Sequence, residues 1–125
     1  MTRGDKDLLS KDLCARLPYG VKVTTTNSAV KIGVISGISI KNKISVETKD
    51  ADIVFDCTEV KPYLRPMSSM TDEEYAEYVR LVHEGYAHDT VDYLNSIHVD
   101  YRGLIQRGLA IEVTEENNPY KLDCL

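Results

Sequence analysis

The period of the hydrophobic pattern changes near the middle of the chain, and this change limits the fold more than any other feature. Before Glu59 the apolar residues fall mostly in short alternating runs bounded by Gly, Asn, Asp and Ser; after it they recur at i, i+3, i+4 and i+7. Alternation places side chains on the two faces of a strand, whereas the longer repeat places them on one face of a helix. Strands followed by helices predict an α+β domain, not interleaved βαβ units. The expected form is a small curled antiparallel sheet or open barrel of about four to five strands, followed by two to three short helices. A chain of 125 residues is one domain, 1–125, able to bury about two-thirds of its unfolded surface. It is too short for a TIM barrel or a dinucleotide fold with a substrate domain.

Along the chain, Leu8, Leu9, Leu13, Cys14 and Leu17 predict a first helix over Asp7–Arg16, ended by Pro18-Tyr19-Gly20. Strands are expected at Val21–Thr25, Val30–Ile40, around Ile44–Val46 and at Ile53–Phe55, with turns at Asn27-Ser28 and Lys41-Asn42-Lys43. Gly33 and Gly37 mark a bulge or bend. Lys61-Pro62-Tyr63-Leu64-Arg65-Pro66, with two prolines, reads as a rigid connector. Thr71-Asp72-Glu73-Glu74 is the sharpest local signal, a capping box with Met70 placed to staple onto Tyr75. The helix it opens is expected to bury Tyr75, Tyr78, Val79 and Val82, and Gly85 stops it. A second helix should start near Asp89 or Thr90 with Val91, Leu94 and Ile97 inward. Asp100 should cap a third, short helix through Gly108, and Leu109–Val113 should be a last strand, pairing within the chain or between subunits. Residues 1–6 and 114–125 are expected to be flexible tails.

Charge is distributed unevenly. Residues 1–49 carry nine Lys/Arg and four Asp/Glu, and residues 50–125 carry six and sixteen, for a net charge of −5. An acidic domain is repelled by a polyanion, so nucleic-acid binding is disfavoured, although the basic first half leaves room for a local anion site. The three cysteines, Cys14, Cys57 and Cys124, have no paired spacing and read as reduced thiols. The absence of a leader-like apolar stretch and of any run of about 18 apolar residues leads to the expectation of a cytoplasmic protein with no membrane contact.

No pattern reaches the specificity of a catalytic motif. His83 and His88 are five apart across Gly85, unlike the i, i+4 pair of a zinc helix. Ser36 lacks the glycine two residues earlier that a nucleophile elbow needs. No phosphate-binding glycine loop is present, so neither cofactor nor metal is expected. Tyrosine is the anomaly, with eight Tyr against one Phe and no Trp. Tyr and Arg are enriched where surfaces meet ligands or partners. Tyr63 and Arg65, and Tyr101 next to Arg102, are therefore the expected binding residues, since Arg forks onto an anion while Tyr stacks or donates. The competing reading buries Tyr101 and pairs Arg102 with Asp100 or Asp92.

Three stretches resemble a group of small proteins of unknown function encoded by Bacteroidales genomes, their phages and mobile elements. They are Leu13-Cys14-Ala15-Arg16-Leu17-Pro18-Tyr19-Gly20-Val21-Lys22-Val23, Lys61-Pro62-Tyr63-Leu64-Arg65-Pro66-Met67-Ser68-Ser69-Met70-Thr71, and Asp92-Tyr93-Leu94-Asn95-Ser96 with His98-Val99-Asp100-Tyr101-Arg102-Gly103-Leu104-Ile105. The acidic tail after Glu112 departs from the group's pattern. The resemblance transfers no functional residue. It implies an accessory cytoplasmic role, one that counters a host defence pathway. Together these readings predict a non-enzymatic binding protein, a homo-oligomer that sequesters a small anionic, nucleotide-like ligand or inhibits a host protein. The alternatives are a small hydrolase of a nucleotide signal, with His83, His88 or His98 as base, and a small-barrel nucleic-acid binder.

Overall fold

The computed structural model describes residues 2–26, 32–39, 43–48, 51–85 and 87–120. The turns expected at Asn27-Ser28 and Lys41-Asn42, and Cys124, lie outside them. The fold is α+β, as the pattern predicts. Helix α1 (Arg3–Arg16) precedes strands β1 (Lys22–Thr25), β2 (Gly33–Ile38), β3 (Lys43–Glu47), β4 (Asp52–Asp56) and β5 (Val60–Pro66). Helices α2 (Asp72–His83) and α3 (Ala87–Ser96) follow, with two-residue strands β6 (Val99–Asp100) and β7 (Ile111–Glu112). The seven strands form an open, mostly antiparallel sheet in the order β4-β3-β2-β1-β5-β6, with β7 also on β5.

Two glycine expectations are resolved by the β2–β3 ladder. Its register shifts between Ile35 and Gly37, so Ser36 is the extra residue of a bulge, and its hydroxyl donates to Ser45 Oγ at 3.0 Å. At Gly33 a Cβ would collide with the Val46 side chain, so only glycine fits between these strands.

The expected connector at Lys61–Pro66 is instead an interior strand, one in from the sheet edge. β5 pairs antiparallel with β1 and parallel with both β6 and β7. The prolines are tolerated because Thr26 N bonds Glu59 O, and alternation from there puts Pro62 at a position that owes β1 no donor. Val23 stands opposite Pro62, which puts Lys22 opposite Tyr63. The Tyr120 hydroxyl lies between them, accepting from Lys22 N at 3.0 Å and donating to Tyr63 O at 2.7 Å. Pro119 is buried beside it, and its carbonyl accepts from Lys22 Nζ. The segment expected as a loose tail is thus bonded into the sheet as far as Tyr120. At the other end, Thr2 and Asp5 form a capping box that starts α1 four residues earlier than periodicity suggested.

The core joins Leu9 and Leu13 of α1 to Val21, Val23, Ile35, Ile44, Val46, Phe55, Val60 and Leu64 of the sheet, with Leu104 and Leu109. Cys57 is buried there and burial pushes its thiol up, while Cys14, expected on the apolar face of α1, is exposed. The third helix does not form. Asp100 does cap the segment, accepting from the amides of Leu104 at 3.1 Å and Ile105 at 2.9 Å, but the chain turns irregularly through Gly108. No helix among the described residues is long and apolar enough to cross a membrane.

Candidate functional site

Arg65 leaves β5 where the strand pairs with Val99, and its guanidinium reaches the first turn of α2. Nη2 and Nη1 fork onto Glu74 Oε1 at 2.6 Å and Oε2 at 2.9 Å. The remaining donors go to Ile97 O, Ser69 O and Ser69 Oγ. All five guanidinium N–H groups are therefore spent inside the chain. Glu74 also closes the capping box, accepting from Thr71 N at 2.8 Å, and Arg65 holds its carboxyl down to about 2. Arg65, expected to grip an anion, instead ties β5 to α2.

Tyr101 and Arg102 belong to a second group. The Tyr101 ring lies 5.2 and 5.0 Å from the guanidiniums of Arg16 and Arg102, and its hydroxyl donates to Asn95 Oδ1 at 2.9 Å. Arg16 and Asp12 are fully buried and paired at 2.8 Å, and Arg16 Nη2 donates to Val99 O. Arg102 pairs with Asp12, not with Asp100 or Asp92: its Nε is 3.2 Å from Asp12 Oδ1, close enough for an ion pair yet too misaligned for a hydrogen bond. Burial raises the Asp12 carboxyl against the lowering pull of Arg16 and Arg102. Tyr63 is nearly buried, and its carbonyl is taken by Tyr120. The structure thus engages each of the four expected binding residues in contacts within the chain, Arg65 with α2 and Tyr101 and Arg102 with the Asp12–Arg16 pair.

The histidines divide similarly. His83 and His88 are exposed, and no group of three or more His, Cys, Asp or Glu among the described residues is placed to hold a metal. His98 adopts a left-handed backbone, φ 62°, and stacks on Tyr120 with ring centroids 4.0 Å apart. Burial, then the nearby Arg16, Arg65 and Lys22, push its pKa down to about 4, so the ring is neutral at pH 7. It borders a cleft of about 460 Å³ with Arg65, Glu74, Ile97, Asn118 and Tyr120.

The Arg65–Glu74 clamp has a consequence for α2. Glu74 is drawn inward, and the helix side that follows it buries Leu81. The stripe expected to be core is rotated off it. Tyr78 and Val79 are half-buried, while Tyr75 is 57% exposed and Val82 52% exposed. The rings of Tyr75 and Tyr78 lie 6.2 Å apart along this face. On α3, Leu94 is buried as expected, but Val91 is 38% exposed. Val82 and Ala87 share a cavity of about 190 Å³ where the helices turn, and Val91 lies one turn beyond Ala87. Tyr75 and Val82 thus lie two turns apart on one exposed face of α2, and Val91 is exposed on α3. Periodicity showed the stripe but could not show its direction. The signal that could have done so is the acidic cap residue Glu74 downstream of a strand arginine.

No protein-family model, no curated protein and no solved structure matches the chain.

Proposed function

We propose that the chain is a non-enzymatic binding protein that acts through a protein partner docked on the outer face of α2 and α3. The observation that carries this reading is the exposure of Tyr75, Val82 and Val91 on a helix pair that buries Leu81 and Leu94 on its other side. Exposed apolar stripes on a small domain mark interaction surfaces, and aromatic residues supply much of the energy there. The resemblance to mobile-element proteins supplies the setting, a cytoplasmic accessory factor that binds and inhibits a host defence protein. Sequestration of a small anion is less favoured, because every donor of Arg65 is taken and Glu74 faces the same cleft. The hydrolase alternative gains nothing from His98, whose pKa near 4 is poorly matched to a base working at neutral pH.

Native mass spectrometry on protein purified gently from expressing cells tests the choice. The expected result is a polypeptide adduct without retained small molecules. A stoichiometric excess mass of a few hundred daltons would restore the sequestering function and overturn this one.

A further inference from the structure

We infer that the open edge of β4 is a second interaction surface, to which a partner protein adds an extended strand with a basic residue opposite Asp52. It is independent of the helix surface proposed above, because β4 stands at one end of the strand order and β6, which α3 contacts, at the other. Among the described residues β4 pairs with β3 alone, in an unbroken register from Glu47↔Asp52 to Lys43↔Asp56. Thr48 N donates to Ala51 O at 3.0 Å, so the main chain of Ala51 points to β3, and by alternation so do those of Ile53 and Phe55. The N–H and C=O groups of Asp52 and Val54 therefore point outward. At Asp56 the amide donates to Glu59 Oε1 at 3.0 Å, which ends the open stretch. Strands β6 and β7 are two residues each, whereas β4 runs for five without proline or bulge. Outward main-chain donors and acceptors in a row are matched by another extended backbone.

The side chains select which strand. Asp52, Val54 and Asp56 alternate onto the face that also carries Glu47, Ser45 and Lys43 of β3, and Val54 is 63% exposed there. Lys43 pairs with Asp56 at 3.5 Å. Glu47, by contrast, stands directly opposite Asp52, and neither has an ion-pair partner among the described residues. Like charges in such a pair repel, and a cation placed beside Asp52 relieves them. A second copy brings the same aspartates: with Val54 opposite itself, Asp52 of each copy meets Asp56 of the other. The edge thus discriminates against its own copy and favours a strand that reads basic, apolar, basic on this face, with its apolar residue against Val54.

An amide NMR titration of the full chain tests this, with one peptide built on Lys-Val-Ile-Val-Lys and another on Glu-Val-Ile-Val-Glu. Each core reads the same in both directions, so either strand orientation can form. The lysine peptide should shift the amides of Asp52 and Val54 and bind about tenfold more tightly than the glutamate peptide. Val54→Pro removes an outward donor without costing a bond to β3, and should abolish the response while the rest of the amide spectrum is kept. Glu47→Lys with Asp52→Lys should reverse the preference in favour of the glutamate peptide, and needs no proline in the strand. Absence of shifts at Asp52 and Val54, equal affinity for the two peptides, an undiminished response in a folded Val54→Pro chain, or an unreversed preference in the double variant overturns the inference. Shifts of the same amides with chain concentration alone also overturn it, by assigning the edge to a second copy.

Discussion

Helices α1 and α2 are built on the same local plan and end in opposite environments. Each opens with a threonine capping box, Thr2 with Asp5 and Thr71 with Glu74, and each carries an apolar stripe. In α1 the stripe goes in, and Leu9 and Leu13 are fully buried. In α2 the stripe is left at the surface, with Tyr75 and Val82 more than half exposed. The difference lies in how each helix's charges are held. Asp12 and Arg16 of α1 are buried alongside Leu9 and Leu13, paired with each other and with Val99 O and Arg102. In α2, Arg65 on the neighbouring strand pairs with Glu74 on the side of the helix that faces the domain. A directional ion pair on one side of a helix favours the rotation that keeps that side inward, whatever the apolar pattern.

The largest way to break this contrast is to cut the buried pair. Arg16→Met leaves the buried Asp12 with only Arg102 beside it, and should cost about 3–5 kcal/mol in urea unfolding. Asp12→Leu combined with Arg16→Met should recover most of that loss; a double variant no better than the single would show that the pair is not what holds α1 in place. Next comes the same kind of truncation on each helix. Leu13→Ala should cost about 2–5 kcal/mol, and Val82→Ala should stay within about 0.5 kcal/mol. Comparable losses from both would mean that the α2 stripe is packed after all.

Titration sharpens the contrast further. His98 has a folded pKa near 4 against an ordinary 6.5, so the unfolded chain binds the extra proton between these values. The contribution of His98 to stability should be flat above pH 6.5, fall by about 3 kcal/mol as pH drops toward 4, and level off below. His98→Asn, which tolerates the positive φ, should remove that slope. The smallest effect is expected at the clamp. Glu74 is lowered from 4.5 to about 2, so its contribution is present above pH 4.5 and lost as pH falls through that range. With both partners partly exposed, Glu74→Gln should cost only about 1 kcal/mol, and it should increase hydrogen exchange in the first turn of α2. Unchanged exchange there would remove the clamp as the cause of the helix's rotation.

Which features were legible follows from the range of the forces involved. The capping box at Thr71, the stop at Gly85 and the capping role of Asp100 were readable because each is satisfied within a few residues. The helix through Gly108 was misread because Asp100 caps backbone amides equally well in an irregular turn. β5 was misread because proline signals a missing donor, and whether a donor is needed depends on the register against β1. Tyr63, Arg65, Tyr101 and Arg102 were expected to bind a ligand or partner, but their partners within the chain, Tyr120, Glu74, Asn95 and Asp12, are spread across the sequence. Nothing in a Tyr-Arg step shows whether its donors will be spent internally or left for a ligand.

By itself, then, the sequence determined the α+β class, the order of strands before the helix pair, and the positions of caps and stops. Those properties follow from periodicity and short-range hydrogen bonding. Tertiary structure alone decided which face of α2 meets solvent, that a proline-bearing segment is an interior strand, and that the Tyr120 hydroxyl bridges Lys22 N and Tyr63 O. Each of these depends on groups distant in sequence meeting at hydrogen-bond distance, and the local pattern of residues carries no information about that distance.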